Sequence, residues 1–171
     1  RALYWPEARM TALRPTGSES CTVEEYIAGK RAFLTENGFG ETALVTQAIA
    51  SGTGRMLALL GDRARDVEGL DLSHQMLQLA RAKLSEAGVS HARLRQGDAT
   101  ATPFDTASAD IVIVHQVLHY LEDPERLLAE ASRILMPGGR LIIVDFAQHD
   151  HEFMREEFGH RRLGIRNDNM E

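Results

Sequence analysis

Glycines and aspartates stand where several short apolar runs of this 171-residue chain stop. The run at 44–50 is followed by Gly52 and Gly54. Glycines there let the backbone turn tightly and approach a ligand, and a helix beginning beside them turns its free N–H groups towards it. A lone Gly-x-Gly is equally typical of a plain strand-to-helix turn, and the Lys-Ser/Thr of a phosphate loop is absent from this segment.

Asp71 ends the next run, 17 residues after Gly54. A carboxylate at that place could accept hydrogen bonds from both ribose hydroxyls of a nucleoside, as in dinucleotide-binding folds. The alternative is a solvated acid at a strand end, or a charge at a helix N-terminus. The glycine turn before it favours the ligand-binding interpretation.

Asp98 and Ala99 follow a third run and point to recognition of a purine base. The carboxylate can accept from an exocyclic amine, and a backbone N–H can donate to a ring nitrogen. An aspartate in a turn needs no such role. Leu72 and Met76 could sandwich the ring, although such residues are more often part of a core.

Two histidines four residues apart, His115 and His119, follow a fourth run. No third ligand stands nearby at motif spacing, so we predict no metal site. Either histidine is a candidate catalytic general base. The alternative is that His115 lines a ligand pocket while His119 and Tyr120 pack or hydrogen-bond locally. Asp145, which ends the fifth run, is either a second acid at the same rim or an ordinary strand-end charge.

Short β-like runs alternate with helical patterns from residue 44 onwards, which predicts a parallel sheet built from βαβ units. In such a sheet, ligands bind beyond the carboxyl ends of the strands, where all these residues lie. Residues 1–43 form an N-terminal extension with one helix beginning at Thr22, and 44–171 form one domain. We predict strands at 44–50, 66–71, 91–95, 110–115 and 140–146, and helices at 54–61, 73–87, 123–136 and 149–162, with a short one at 116–121.

Composition narrows the class of protein. Hydrophobic residues make up 43% and charged residues 26%, as in ordinary globular proteins. A net charge of −6 argues against nucleic-acid binding by this chain. Cys21 is the only cysteine, which excludes an intramolecular disulfide and suits the cytoplasm. No apolar run is long enough for a membrane span.

Six segments in order resemble class I S-adenosylmethionine-dependent methyltransferases of the ubiquinone/menaquinone-biosynthesis type. The similarity is greatest to the methyltransferase domain of ArsR-methyltransferase fusion proteins, and it covers about two thirds of the chain. The segments are IASGTGRMLALL, EGLDLSHQMLQLAR, RQGDATATPF, ADIVIVHQVLHYLEDPERLLAEASRIL, MPGGRLIIVDF and HDHEFMREEFGHRRLG.

The resemblance implies an α/β, Rossmann-like, doubly wound and mostly parallel sheet that binds S-adenosyl-L-methionine. Ser51, Gly52 and Gly54 would lie near the methionine moiety, Asp71 on the ribose, Asp98 and Ala99 at the adenine, and His115 beside the sulfonium. The acceptor would be a small molecule, methylated by in-line displacement. The family fold has two more strands after the helix at 149–162, so we expect either a sheet truncated after its fifth strand or a chain that continues.

An open edge beside Leu141–Val144 would be a template for pairing. We therefore expect that residues 1–21 fold over this edge or that the chain forms a homo-oligomer through it. Two other functions stay open. Ala48, where the family usually has an acid, is consistent with a degenerate regulatory module that only binds the cofactor. A nicotinamide-dependent oxidoreductase would also use Asp71, but Leu57 stands where its fingerprint requires a small residue.

Overall fold

The computed structural model describes residues 9–12, 44–49, 52 and 54–165. The helix predicted from Thr22 and the predicted cofactor residue Ser51 lie outside these ranges. Six strands form one parallel sheet in the order β1-β6-β5-β2-β3-β4. They are β1 (Arg9–Ala12), β2 (Leu44–Ile49), β3 (Ala64–Asp71), β4 (Ala92–Gln96), β5 (Ala109–His115) and β6 (Leu135–Val144).

Helices follow most of the strands. They are α1 (Arg55–Leu60), α2 (His74–Glu86), α3 (Pro124–Ile134) and α4 (Phe153–Phe158), with 3-10 turns at Gly61–Arg63 and Leu118–Tyr120. Ser73 caps α2 by accepting a hydrogen bond from the Met76 amide. Pro124 begins α3, where its missing N–H costs nothing.

The core forms a layer on each face of the sheet. Alternate residues of β5 face opposite ways, so Ile111 and Ile113 belong to the layer under α1, while Val112 and Val114 belong to the layer under α3. Both faces of this strand are fully buried, as expected for a parallel sheet covered by helices. The predicted doubly wound, Rossmann-like α/β fold is therefore confirmed.

The order of the strands in the sheet shows where a ligand-binding crevice lies. From β2 the sheet grows through β3 and β4 on one side and through β5 and β6 on the other. Connections of opposite sense leave a gap beyond the carboxyl ends of β2 and β5, the topological switch point where such folds bind ligands. The glycine turn follows β2, and His115 ends β5, so both border this gap.

One expectation about the sheet edge is met, and one about the last helix needs correction. The edge beside β6 is not open, because Arg9–Ala12 pairs with Arg140–Ile143. The prediction that residues 1–21 fold over this edge is confirmed for these four residues. The helix predicted at 149–162 is only Phe153–Phe158, because Gly159 adopts a left-handed conformation (φ 70°) that ends it.

Candidate functional site

Asp71 stands at the end of β3 with its carboxylate fixed by two backbone amides. The Gly52 amide donates to Oδ2 and the Ser73 amide donates to Oδ1, each over 2.8 Å. A carboxylate has about four acceptor positions, so each oxygen can accept a further hydrogen bond. The residue is half-buried. The group is thus held rigidly at the crevice and remains able to accept hydrogen bonds from hydroxyl donors.

The two glycines of the turn are required for different reasons. Gly54 (φ 71°) touches α2, since an added Cβ would lie 2.8 Å from the Ala80 Cβ. At Gly52 (φ 50°), an added Cβ would meet no atom of the described residues within 4 Å. Gly54 therefore serves helix packing, whereas Gly52 donates its amide to Asp71 and, among the described residues, has open space at its Cβ position.

Apolar surface lies beside this carboxylate. Leu72 is 72% exposed and Met76 is 37% exposed, so neither is part of the core. The end of β4 is tied to the same place, because the Gly97 amide donates to the Asp71 carbonyl and the Gln96 side chain donates to the Leu72 carbonyl. The predicted nucleoside residues therefore lie together at the ends of β3 and β4.

Asp98 forms a local turn. Its Oδ1 accepts hydrogen bonds from the amide and the hydroxyl of Thr100, at 2.8 and 2.9 Å. These bonds, the amide bond first, hold the pKa of the Asp98 carboxyl below its usual value. Ala99 packs against the core layer under α3. This geometry is that of the turn interpretation, and the Asp98 side chain is still exposed for a ligand.

The loop after this turn is anchored to α3. The Glu130 carboxylate accepts from the amide and the hydroxyl of Thr102, both at 2.8 Å, and pairs with Arg133 at 2.7 Å. The hydrogen bond from Arg133 is the main reason why the pKa of Glu130 falls to about 2. Arg133 also donates to the Phe104 carbonyl. This network fixes the segment that predicted adenine recognition would use.

His115 and His119 have different surroundings. His115 is half-buried at the end of β5, directly at the switch point. His119 is 1% exposed, and its Nδ1 lies 2.5 Å from an Asp145 oxygen. Its ring packs on Tyr120 and Phe146. This is the environment that the local-packing interpretation of His119 describes, and the structure does not bring the two histidines into one reactive pair.

Asp145 joins the ends of β5 and β6. Its Oδ2 accepts from the amides of Val117 and Leu118, and its Oδ1 accepts from the Phe146 amide besides contacting His119. The side chain is 2% exposed. Gln116, just before this loop, has a left-handed backbone (φ 52°) that is uncommon for a residue with a side chain. Asp145 therefore fixes the loop beside the crevice, a role the sequence did not indicate.

A cavity of about 1030 Å³ lies elsewhere. It opens between α3 and residues 148–165, with Leu118 and Ile143 in its lining. None of the predicted site residues lines it. We place the candidate site at the switch point, because the fixed carboxylate, the open glycine turn and the exposed apolar surface converge there. Within the described part of the chain, no cluster of three or more His, Cys, Asp or Glu residues is arranged to hold a metal ion.

Comparison with known proteins identifies the family. A model described as a methyltransferase domain matches residues 48–143, more than half of the chain, so the chain belongs to this family. The ubiquinone/menaquinone biosynthesis C-methyltransferase of Shewanella oneidensis is 34% identical over 115 residues. That match covers 64% of this chain and 45% of the relative, so the chain spans less than half the length of the curated relatives it matches.

Solved structures show the same fold. A putative methyltransferase from Bacillus halodurans is similar with a TM-score of 0.73 and 22% identity, over 82% of this chain and 64% of that one. Phosphoethanolamine N-methyltransferase 1 of Haemonchus contortus, in complex with phosphoethanolamine and S-adenosylhomocysteine, is similar with a TM-score of 0.57 and 25% identity. This second match covers 67% of our chain and 25% of that protein.

Proposed function

We propose that the chain is the cofactor-binding domain of an S-adenosylmethionine-dependent methyltransferase that acts on a small molecule. One observation carries the proposal: the Asp71 carboxylate is fixed by the amides of Gly52 and Ser73 and has spare acceptor capacity, and no atom of the described residues fills the Cβ position of Gly52. The two adjacent hydroxyls of a ribose could donate hydrogen bonds to these carboxylate oxygens. The family match and the complex of the Haemonchus enzyme support the choice of cofactor.

The residues present suit this cofactor. The ribose would bind Asp71, and the exposed side chains of Leu72 and Met76 would contact the adenine, whose burial would remove apolar surface from water. The methionine end would lie over the glycine turn. The proposed cofactor-binding residues are Ser51, Gly52, Gly54, Asp71, Leu72, Met76, Asp98, Ala99 and His115.

When bound, S-adenosylmethionine supplies a methyl group on a positively charged sulfur, a good leaving group for in-line displacement. The chain contributes orientation, since holding an acceptor in line is worth several kcal/mol by proximity alone. His115 is the proposed general base for an acceptor that carries a proton, because it ends β5 at the switch point. His119 is proposed to act indirectly, by holding the loop after β5 together with Asp145.

The methyl acceptor, the partners and the cellular location are inferred from the net charge of the chain and from the family that it resembles. By analogy we propose a small aromatic acceptor of the quinone type, and on the motifs that resemble it we propose the ArsR-fusion type as the subfamily. The net charge of −6 disfavours nucleic acid as a partner. We place the protein in the cytoplasm, as a monomer or a homo-oligomer. No helix in the described ranges is long and apolar enough to cross a membrane.

A cofactor-binding module without turnover is the second candidate. Ala48 favours it, because this residue lies in the central strand β2, paired with Gly69 and Ile113, where the family usually has an acid. Measuring binding separately from methyl transfer distinguishes the two functions. A module binds S-adenosylhomocysteine and transfers no methyl group.

Substituting Gly52 tests the position of the site. We expect Gly52→Leu to raise the Kd for S-adenosylhomocysteine at least ~10-fold, because the new side chain enters the open space that the ligand would occupy; this is about 1.4 kcal/mol. Gly138→Leu is the matched control. Gly138 also has a positive φ, and no atom of the described residues lies near its Cβ position. It lies near the start of β6, at the end of the strands opposite to the crevice.

Both leucine variants should lose a similar ~1–2 kcal/mol of stability, since each forces a side chain into the left-handed region. Isothermal titration calorimetry gives the affinities and urea denaturation gives the stabilities. Equal affinities of the two variants for S-adenosylhomocysteine would show that the ligand does not bind at the glycine turn.

A further inference from the structure

Residues 146–165 leave the carboxyl end of β6 and return to their own starting point. Ala147 and Ile165 form a parallel β-bridge. The Ile165 amide donates to the Phe146 carbonyl over 2.9 Å, and the Gln148 amide donates to the Ile165 carbonyl over 3.2 Å. At Gly164 (φ 79°), an added Cβ would overlap the main-chain oxygen of Ala147. We call this closed segment, residues 146–165, the strap.

The tip of the strap is mostly exposed to solvent. Its helix α4 contributes no buried residue, and Phe153 and Phe158 are 45% and 55% exposed. A segment with so few buried contacts opens at low free-energy cost unless something fastens it. The one residue of the strap that is fully buried is His160, 6% exposed.

His160 fastens the strap to the turn after β5. Its ring centroid lies 4.2 Å from that of His119, 5.1 Å from Tyr120 and 5.5 Å from Phe146. The next two amides of the strap, at residues 161 and 162, both donate to the His119 carbonyl, at 2.8 and 3.1 Å. The contact therefore joins the strap to the loop that borders the crevice.

The contact favours a neutral His160. Its Nδ1 is buried and has no hydrogen-bond partner. Burial, and next the neighbouring rings of His119 and His149, lower the pKa of His160 below 6.5, while Asp145 opposes this shift. The effect of Asp145 is the smallest of these, and both of its oxygens already accept hydrogen bonds from the loop and from Phe146.

We propose that the strap is an acid-released lid over the loop at 116–119, unfastened when His160 takes up a proton and leaves its place against His119 and Tyr120. The other groups facing His160 are His149 of the strap and Asp145 at the end of β6. Arg161 and Arg162 follow it in sequence, and Arg161 pairs with Glu122 at 3.5 Å. These two cations add no charge that would retain a protonated His160.

The sign of the pH dependence follows from linkage. The opened strap binds a proton on His160 more readily than the closed one, so closure is fully favourable above the ordinary value of 6.5 and is lost as the pH falls below it. Because a single proton is involved, the closing equilibrium changes by at most about tenfold for each pH unit below 6.5. Opening exposes the loop at 116–119 beside the crevice.

Hydrogen exchange of the whole chain tests the lid. After the intrinsic pH dependence is removed, protection of the amides of Arg161, Arg162 and Gln148 should fall up to ~10-fold between about pH 7.5 and pH 5.5. Amides of β5 should keep their protection, which separates opening from global unfolding. His160→Phe should abolish the pH dependence, whereas the matched control His74→Phe, at an exposed histidine of α2, should behave as wild type.

Proton NMR of the histidine rings provides a second measurement on the unaltered chain, independent of whether His160→Phe folds. The midpoint of the His160 titration should lie below the ordinary value of 6.5 and coincide with the loss of strap protection. Three results would overturn the proposal: constant protection of the strap, loss of protection together with β5, or a His160 titration unrelated to opening. None of these readouts depends on the bound cofactor, so the lid and the proposed function fail separately.

Discussion

Asp145→Ala is expected to lower the free energy of unfolding by about 3–5 kcal/mol, because several donors lose their acceptor and each buried donor left without a partner costs about 1–3 kcal/mol. The carboxylate is 2% exposed and receives hydrogen bonds from the amides of Val117, Leu118 and Phe146 besides its contact with His119. Alanine leaves these donors buried without a partner. Urea denaturation followed by circular dichroism measures the loss.

Asp105→Ala is the control for this experiment. Asp105 is exposed and lies before the amino end of β5, whereas Asp145 lies at the carboxyl ends of the strands. An exposed substitution there should change stability by at most ~0.5 kcal/mol. If Asp145→Ala loses no more than this control, the carboxylate does not hold the loop as described.

Asp71→Ala is expected to raise the Kd for S-adenosylhomocysteine by about 100-fold. Each hydrogen bond to a charged group contributes about 1.5–3 kcal/mol, and a tenfold change in Kd is about 1.4 kcal/mol, so even partial loss of two bonds reaches this size. The change also frees the Gly52 amide, which loosens the turn. Isothermal titration calorimetry measures the affinity.

Asp66→Ala provides a matched control on the same strand. Asp66 is half-buried near the start of β3 and pairs with Arg65 and Arg93, so its loss also removes charged contacts. Asp66 lies near the end of β3 that is opposite to Asp71. Its loss should therefore leave the Kd for S-adenosylhomocysteine within about twofold of wild type. Equal effects of the two substitutions would show that Asp71 is a strand-end acid without a ligand role.

The strands and most helices could be predicted from the sequence because their signals are local. The apolar runs of β5 and β6 and the capped stripes of α2 and α3 each depend on residues close in sequence. Even β2 was predicted, although Thr46 and Gln47 make it polar for a central strand. The strand Arg9–Ala12 was not, because its four residues show no alternation and only pairing with β6 makes them extended.

The candidate site was partly predictable for the same reason. Gly52, Gly54 and Asp71 follow strand ends, which any parallel sheet brings to one edge. The roles of Asp145 and His160 depend on partners far away in sequence: Val117 lies 28 residues from Asp145, and His160 meets His119 only after the strap folds back. The chemistry of single residues carries no signal for such pairings.

Titration of the unaltered chain with S-adenosylhomocysteine and, separately, with NAD tests the central claim most directly. We expect saturable binding of S-adenosylhomocysteine, which should also raise the melting temperature because the ligand binds only the folded state. NAD should show no measurable binding. Binding of NAD without binding of S-adenosylhomocysteine would contradict the methyltransferase assignment of the crevice and favour an oxidoreductase instead.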